Sequence, residues 1–158
     1  MVKELCIIRH GMAETSHGQE NDFERKLTSS GRGRISRLAH LLKTREFEFD
    51  LALYSNAVRC KETFDILQSY DLIRKAIPKP SIYQASHPTL LQLIYGLDES
   101  LERVLLVGHN PGVSQLVGYL SGDLSLMLSP GMVVHLRFEG LEWKELSKKS
   151  GMVIEVFQ

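Results

Sequence analysis

Val104-Leu105-Leu106-Val107-Gly108-His109-Asn110-Pro111-Gly112 is four apolar residues running without polar interruption into a glycine-bounded turn. A strand wetted on one face alternates apolar with polar residues. A short continuous apolar run marks a strand covered on both faces, as in the middle of a parallel sheet. Leu5-Cys6-Ile7-Ile8-Arg9-His10-Gly11 repeats the pattern near the start of the chain. In each case a histidine stands two residues beyond the last apolar residue of the run. Two buried strands that both end in a histidine set the frame for everything between them.

Working outward, helical signals alternate with strand signals. Thr28 or Ser29 offers an N-cap, and Ile35, Leu38, Ala39 and Leu42 then recur on one helical face. Residues 51–54 form a second apolar run. Ser55 or Asn56 can cap the helix after it, whose inner face carries Ala57, Cys60, Phe64 and Leu67. Pro78 and Pro80 frame a loop before a brief strand expected at 81–83. Pro88 then opens a helix with Leu90, Leu93, Ile94 and Leu97 inward. After the second histidine, Asn110 is expected as N-cap and Pro111 as first helical residue, with Val113, Leu116, Val117 and Leu120 facing the core. Beyond Gly122 the pattern changes to strands at 133–138, 142–146 and 152–157. Alternating strands and helices imply parallel βαβ units with right-handed crossovers. The expected fold is α/β: a three-layer α/β/α sandwich with a mostly parallel central sheet and antiparallel strand pairing at its C-terminal end. No linker, repeat or low-complexity tract interrupts residues 1–158, so one domain is expected.

Bulk composition narrows the class of function. The chain has 158 residues, 43% apolar and 24% charged, which is ordinary for a globular domain. Nineteen basic residues balance nineteen acidic ones. No global charge therefore favours nucleic acid or an anionic membrane. Cys6 and Cys60 stand alone, without a C-x-x-C pair, which speaks against a disulfide framework or zinc ribbon. The apolar run before Arg9 is shorter than a signal-peptide core, and no run approaches the roughly 20 residues needed to span a bilayer. A cytoplasmic protein is the expectation.

Ligands of open α/β sheets sit beyond the carboxyl ends of the strands. Arg9-His10-Gly11, Arg59 early in the second helix, and His109 all fall at such ends. Guanidinium forks match phosphoryl oxygens, and charge-assisted hydrogen bonds are the strong ones. Gly11 is expected to let the backbone approach a ligand, and the helix after Asn110 to point its positive end at it. A lone histidine after a strand is ordinarily structural; the ordered pair, with arginines, is not ordinary.

These motifs carry a resemblance. Arg9-His10-Gly11, Arg25-Lys26-Leu27-Thr28-Ser29-Ser30-Gly31, Ser55-Asn56-Ala57-Val58-Arg59 with Thr63, and Gly108-His109-Asn110-Pro111-Gly112 together resemble the histidine phosphatase superfamily, branch 1, across essentially the whole chain. The compact length is similar to its SixA-type phosphohistidine phosphatases. The resemblance implies a phosphoglycerate mutase-like fold and a phosphohistidine intermediate on His10. It further implies a clamp of Arg9, Arg59 and His109, with Arg25 as a further phosphate ligand. Gly11 and Asn110 complete the expected phosphate-contacting set, His109 being expected protonated. No metal and no cofactor are expected. The substrate is expected to be phosphohistidine on a phosphorylated protein, or else a small phosphate ester.

Two departures qualify the resemblance. Met12 follows the R-H-G where relatives commonly carry a polar residue. Residues 83–88 hold no Asp or Glu, although many members place a carboxylic acid there to protonate an oxygen leaving group. Glu14, Glu20, Asp22 and Glu24 could substitute, but read more simply as a solvated acidic stretch. His17 and His87 are expected near the site, His40 and His135 as structural residues, Arg32, Arg34 and Arg37 as a solvated helix face, and Cys60 as a packed thiol. A mutase is disfavoured by length. A metal-dependent hydrolase is disfavoured by the lack of H-x-H or H-E-x-x-H spacing. A silent phosphate-binding or scaffold module is disfavoured by the four core residues.

Overall fold

The computed structural model describes residues 1–15 and 21–158. Its six-stranded sheet comprises β1 (Val2–Arg9), β2 (Leu51–Tyr54), β3 (Ala76–Pro78), β4 (Arg103–Gly108), β5 (Val133–Glu139) and β6 (Met152–Phe157), in the order β3-β2-β4-β1-β5-β6. β1, β2, β3 and β4 pair in parallel, whereas β5 pairs antiparallel with both β1 and β6. The helices are α1 (Ser29–Thr44), α2 (Val58–Gln68), α3 (His87–Tyr95) and α4 (Gly112–Ser121).

The continuous apolar runs are split by the pleat. Leu5, Ile7, Leu51, Leu53, Val104 and Leu106 pack with Leu90, Ile94, Val113 and Leu116 of α3 and α4. Cys6, Ile8, Ala52, Leu105 and Val107 pack with Ile35, Leu38, Cys60 and Phe64 of α1 and α2. Successive side chains point to opposite faces, so both must be apolar when both are covered. The expected three-layer α/β sandwich with mixed pairing is the fold observed.

Topology creates the crevice. From β1 the chain crosses by α1 to β2, beyond β4; from β4 it crosses by α4 to β5, beyond β1. Adjacent β1 and β4 thus send their connections in opposite directions, which opens a gap at their carboxyl ends. Arg9 is in register with Gly108, so His10 and His109 emerge together.

Four local expectations are corrected. Residues 81 and 82 lie in a 3-10 turn, Pro80–Ile82, with Tyr83 just past its end, because Pro80 at its start fixes φ and removes a donor; the edge strand is Ala76–Pro78 instead. Residues 142–146 hold a 3-10 turn, Trp143–Glu145, rather than a strand. Glu142 and Glu145 form a capping box there, and the buried Trp143 indole N–H donates to Leu101 O at 2.8 Å. α2 is preceded by Ala57, which makes no side-chain cap; Ser55 Oγ accepts from Ala57 N–H at 3.2 Å, before the helix, and lies 2.8 Å from His109 Nε2. α4 begins at Gly112 after Pro111, and Asn110 does not cap it. The expected cap of α1 is present, Thr28 Oγ1 accepting from Gly31 N–H at 2.9 Å.

Candidate active site

His10 is held by its own neighbour. Nδ1 lies 2.7 Å from Gly11 O, and a carbonyl can only accept, so the ring hydrogen rests on Nδ1. The lone pair is therefore on Nε2, which accepts from Arg59 Nε–H at 3.2 Å. Gly11 is fixed in turn: its N–H donates to Thr63 Oγ1 at 3.0 Å, and the Thr63 hydroxyl donates to Arg59 O at 2.7 Å. One turn of α2 thus positions both the arginine and the loop that orients the histidine. A Cβ on Gly11 would lie 3.0 Å from Ile35 Cγ1 and 3.2 Å from Leu27 Cδ2. Crowding by the core behind the loop is thus a reason for glycine here.

Burial shapes the electrostatics. His10 is 6% exposed, and its pKa is brought down to about 4, by loss of hydration first. The Gly11 carbonyl opposes that shift, while Arg59, Arg9 and Arg25 add to it. His109 is brought down to about 3, by burial first and then by Arg59. The expected imidazolium at His109 is therefore a neutral ring in this structure. Its Nε2 lies 2.8 Å from Ser55 Oγ and 3.4 Å from Cys60 Sγ. Burial pushes the Cys60 thiol up to about 12, and the thiol donates to Gly108 O at 3.9 Å. The same figure makes Cys60 a packed thiol and no nucleophile. The two imidazoles stand 5.3 Å apart between ring centres.

The other expected residues divide. Arg9 Nη1 donates to Leu128 O at 3.2 Å, while its buried Nε–H has no partner among the described residues. Asn110 is turned away from a capping role: its Nδ2 donates to Leu128 O at 2.8 Å and its Oδ1 accepts from Ser114 at 2.6 Å. It ties the segment after α4 to the rim. Arg25 Nε donates to Glu14 O at 2.7 Å and its Nη1 to Asp22 Oδ1 at 2.8 Å.

Asp22 is the residue that sequence reasoning placed in solvent. It lies in a 3-10 turn, Asp22–Glu24, and its Oδ2 accepts from Tyr83 O–H at 2.7 Å and Arg59 Nη2 at 3.1 Å. Its carbonyl accepts from Arg59 Nη1 at 2.8 Å. The Tyr83 hydroxyl first, then Arg25, hold its carboxyl well below the usual carboxylate range. Tyr83 also packs edge-on against both His109 and Phe23. The only hint in the sequence is the spacing of Asp22 three residues before Arg25. His17 and Glu20 lie outside the described residues. His87 rests on Tyr119 and His40 is exposed on α1; His135 is buried against Glu4, and Arg32 pairs with Glu62. Among the described residues no three His, Cys, Asp or Glu side chains converge as metal ligands, and no helix is long and apolar enough to cross a membrane.

Chemically, the crevice combines the lone-pair nitrogen of one neutral imidazole with three guanidinium groups and a second neutral imidazole. That is a set for holding and attacking a tetrahedral anion. The family model "Histidine phosphatase superfamily (branch 1)" matches residues 5–76, the part that carries His10, Arg25 and Arg59. Several solved structures share the fold over nearly the whole chain. The candidate phosphohistidine phosphatase SixA of Nakamurella multipartitia superposes with a TM-score of 0.87 at 18% identity, covering 100% of this chain and 96% of that one. Its counterpart from Agrobacterium tumefaciens gives 0.86 at 24% identity, covering 99% and 97%. The protein histidine phosphatase SixA complexed with tungstate gives 0.83 at 22% identity, covering 98% and 96%.

Proposed function

We propose that this chain, which resembles the histidine phosphatase superfamily (branch 1) in sequence pattern and in fold, is a metal-independent phosphatase working through a phosphohistidine on His10. The observation that carries the proposal is the state of His10: proton fixed on Nδ1 by Gly11 O, lone pair on Nε2, pKa far enough down to keep it neutral at pH 7. Nε2 attacks phosphorus and the leaving group departs in line. The N–P bond that forms leaves a cationic imidazole, whose Nδ1–H is already directed at the Gly11 carbonyl. Water then attacks phosphorus, the N–P bond breaks, and His10 is restored. Arg9 brings a buried N–H without a partner among the described residues, while Arg59 and Arg25 can exchange their present contacts for phosphoryl oxygens. His109 contributes the N–H of a neutral ring, and a bound dianion would raise its basicity.

The substrate class follows from the missing acid. Residues 83–88 contribute no carboxyl group, and Asp22, beside Tyr83, is held strongly ionised. An alkoxide leaving group would depart without a proton donor. Phosphohistidine needs less help, because its protonated form releases a neutral imidazole. The tungstate complex of a fold relative supports a pocket for tetrahedral oxyanions. The reading is therefore phosphohistidine hydrolysis on a cytoplasmic phosphoprotein, with small aryl phosphates as the second substrate class. General acid catalysis contributes roughly 10²–10⁴-fold where it operates. Phosphohistidine and aryl phosphate should exceed phosphoserine and sugar phosphates in kcat/KM by about that margin, with EDTA present throughout. Equal values across the classes would reveal an acid and move the assignment to a general ester phosphatase. Loss of all activity in EDTA would refute metal independence.

A further inference from the structure

Three of the five N–H groups of Arg59 are already engaged. Nε covers the lone pair of His10, Nη1 holds the carbonyl of Asp22, and Nη2 its carboxylate. Arg25 holds the other carboxylate oxygen, and Tyr83 adds a third side-chain donor. Two guanidinium groups of the proposed clamp and a phenol thus converge on one carboxylate at the mouth of the crevice. The Asp22 side chain keeps 43% of its surface exposed, so it lies at the rim and can leave outward.

We infer that Asp22 is a specificity-determining residue whose carboxylate holds the guanidinium faces that phosphoryl oxygens take up, so that a substrate binds by displacing it. The inference rests on the phosphatase reading of the site. A carboxylate offers two oxygens and one negative charge. A phosphomonoester dianion offers three terminal oxygens and two charges, so exchange at the same donors favours it. A phosphodiester offers two free oxygens and one charge and gains nothing by the exchange. Asp22 thereby sets a charge threshold at the entrance. Displacement also frees Arg59 to move off Nε2, so the nucleophile is uncovered only when a dianion has arrived.

The test is the binding of inorganic phosphate and orthovanadate to the full chain, wild type against Asp22→Asn. The amide keeps the shape and an acceptor oxygen but drops the charge. Phosphate Kd and aryl phosphate KM should each fall about tenfold, the scale of removing one repulsive charge at a partly exposed site. The fall in KM should exceed any change in kcat. Glu24→Gln removes a charge from the same turn, at a side chain without a polar contact among the described residues, and should change phosphate Kd less than twofold. Should Asp22→Asn fold poorly, the carboxyl carbon of Asp22 in the wild type provides the second readout. Its NMR resonance should move toward that of a solvent-exposed carboxylate as phosphate saturates. Unchanged or weaker phosphate binding by the variant would overturn the inference, as would an Asp22 resonance indifferent to phosphate. A wild type that turns over phosphate esters while failing either test refutes the inference alone. A wild type that neither binds phosphate nor hydrolyses any monoester refutes the phosphatase reading, and the inference with it.

Discussion

Lowering the pH from 7 to 5 separates a histidine at about 4 from an ordinary one near 6.5. With a pKa of about 4, His10 stays roughly nine-tenths neutral at pH 5; at 6.5 it would be only ~3% neutral. Burial is the leading cause of the shift, with three arginines adding to it. The measurement is a titration of the imidazole carbon and nitrogen resonances in the free protein. The free protein is chosen because the substrate phosphoryl group titrates near pH ~6 and would blur a rate profile. His10 should show no midpoint above pH 5, and His109, at about 3, none above 4. Stability follows with a definite sign. Both native values lie below the unfolded value, so between them the unfolded chain binds protons that the native state does not. Stability is fully present above pH ~6.5 and falls with acidification, by at most ~1.4 kcal/mol per pH unit for each histidine, levelling off below the native values. Chemical denaturation at pH 7, 6 and 5 measures that slope. A His10 midpoint near 6.5, with stability flat over this range, would refute the burial argument and leave the nucleophile partly protonated at neutral pH.

Two substitutions test how the site is built. Thr63→Val keeps the shape but strands the Gly11 N–H, so stability should drop by about 1–3 kcal/mol. kcat should fall several-fold as well, because Gly11 O orients His10; unchanged kcat would remove Thr63 from the positioning chain. Gly31→Ala would press a Cβ against the Met12 backbone carbonyl, which cannot rotate away. It should destabilise by ~1–3 kcal/mol, against the ~1 kcal/mol gain that helix propensity alone predicts, and denaturant midpoints decide the sign.

The strands around Leu5 and Val104 were legible in sequence because burial on both faces forces a continuous apolar run. The paired histidines were legible because those strands end in register. Less was legible where a short segment answers to distant partners. Residues 81–83 and 142–146 carry strand-like residues, but Pro80 and the Glu142–Glu145 capping box turn the chain there. Asn110 and Ser55 suit helix caps by type. Tertiary partners claim them instead: Leu128 and Ser114 in the first case, His109 in the second. The neutral state of His109 depends on burial that sequence cannot display. Asp22 was hidden among Glu14, Glu20 and Glu24 because its partners Arg59 and Tyr83 lie far along the chain and meet it only in the folded crevice.

The central claim is that His10 takes the phosphoryl group covalently, and rapid acid-free quenching during turnover of a radiolabelled aryl phosphate tests it most directly. The trapped protein should carry label in an acid-labile, base-stable linkage that maps to the peptide containing His10, with none in His10→Ala. An unlabelled wild type under conditions of steady turnover, or near wild-type turnover by His10→Ala, would contradict the claim.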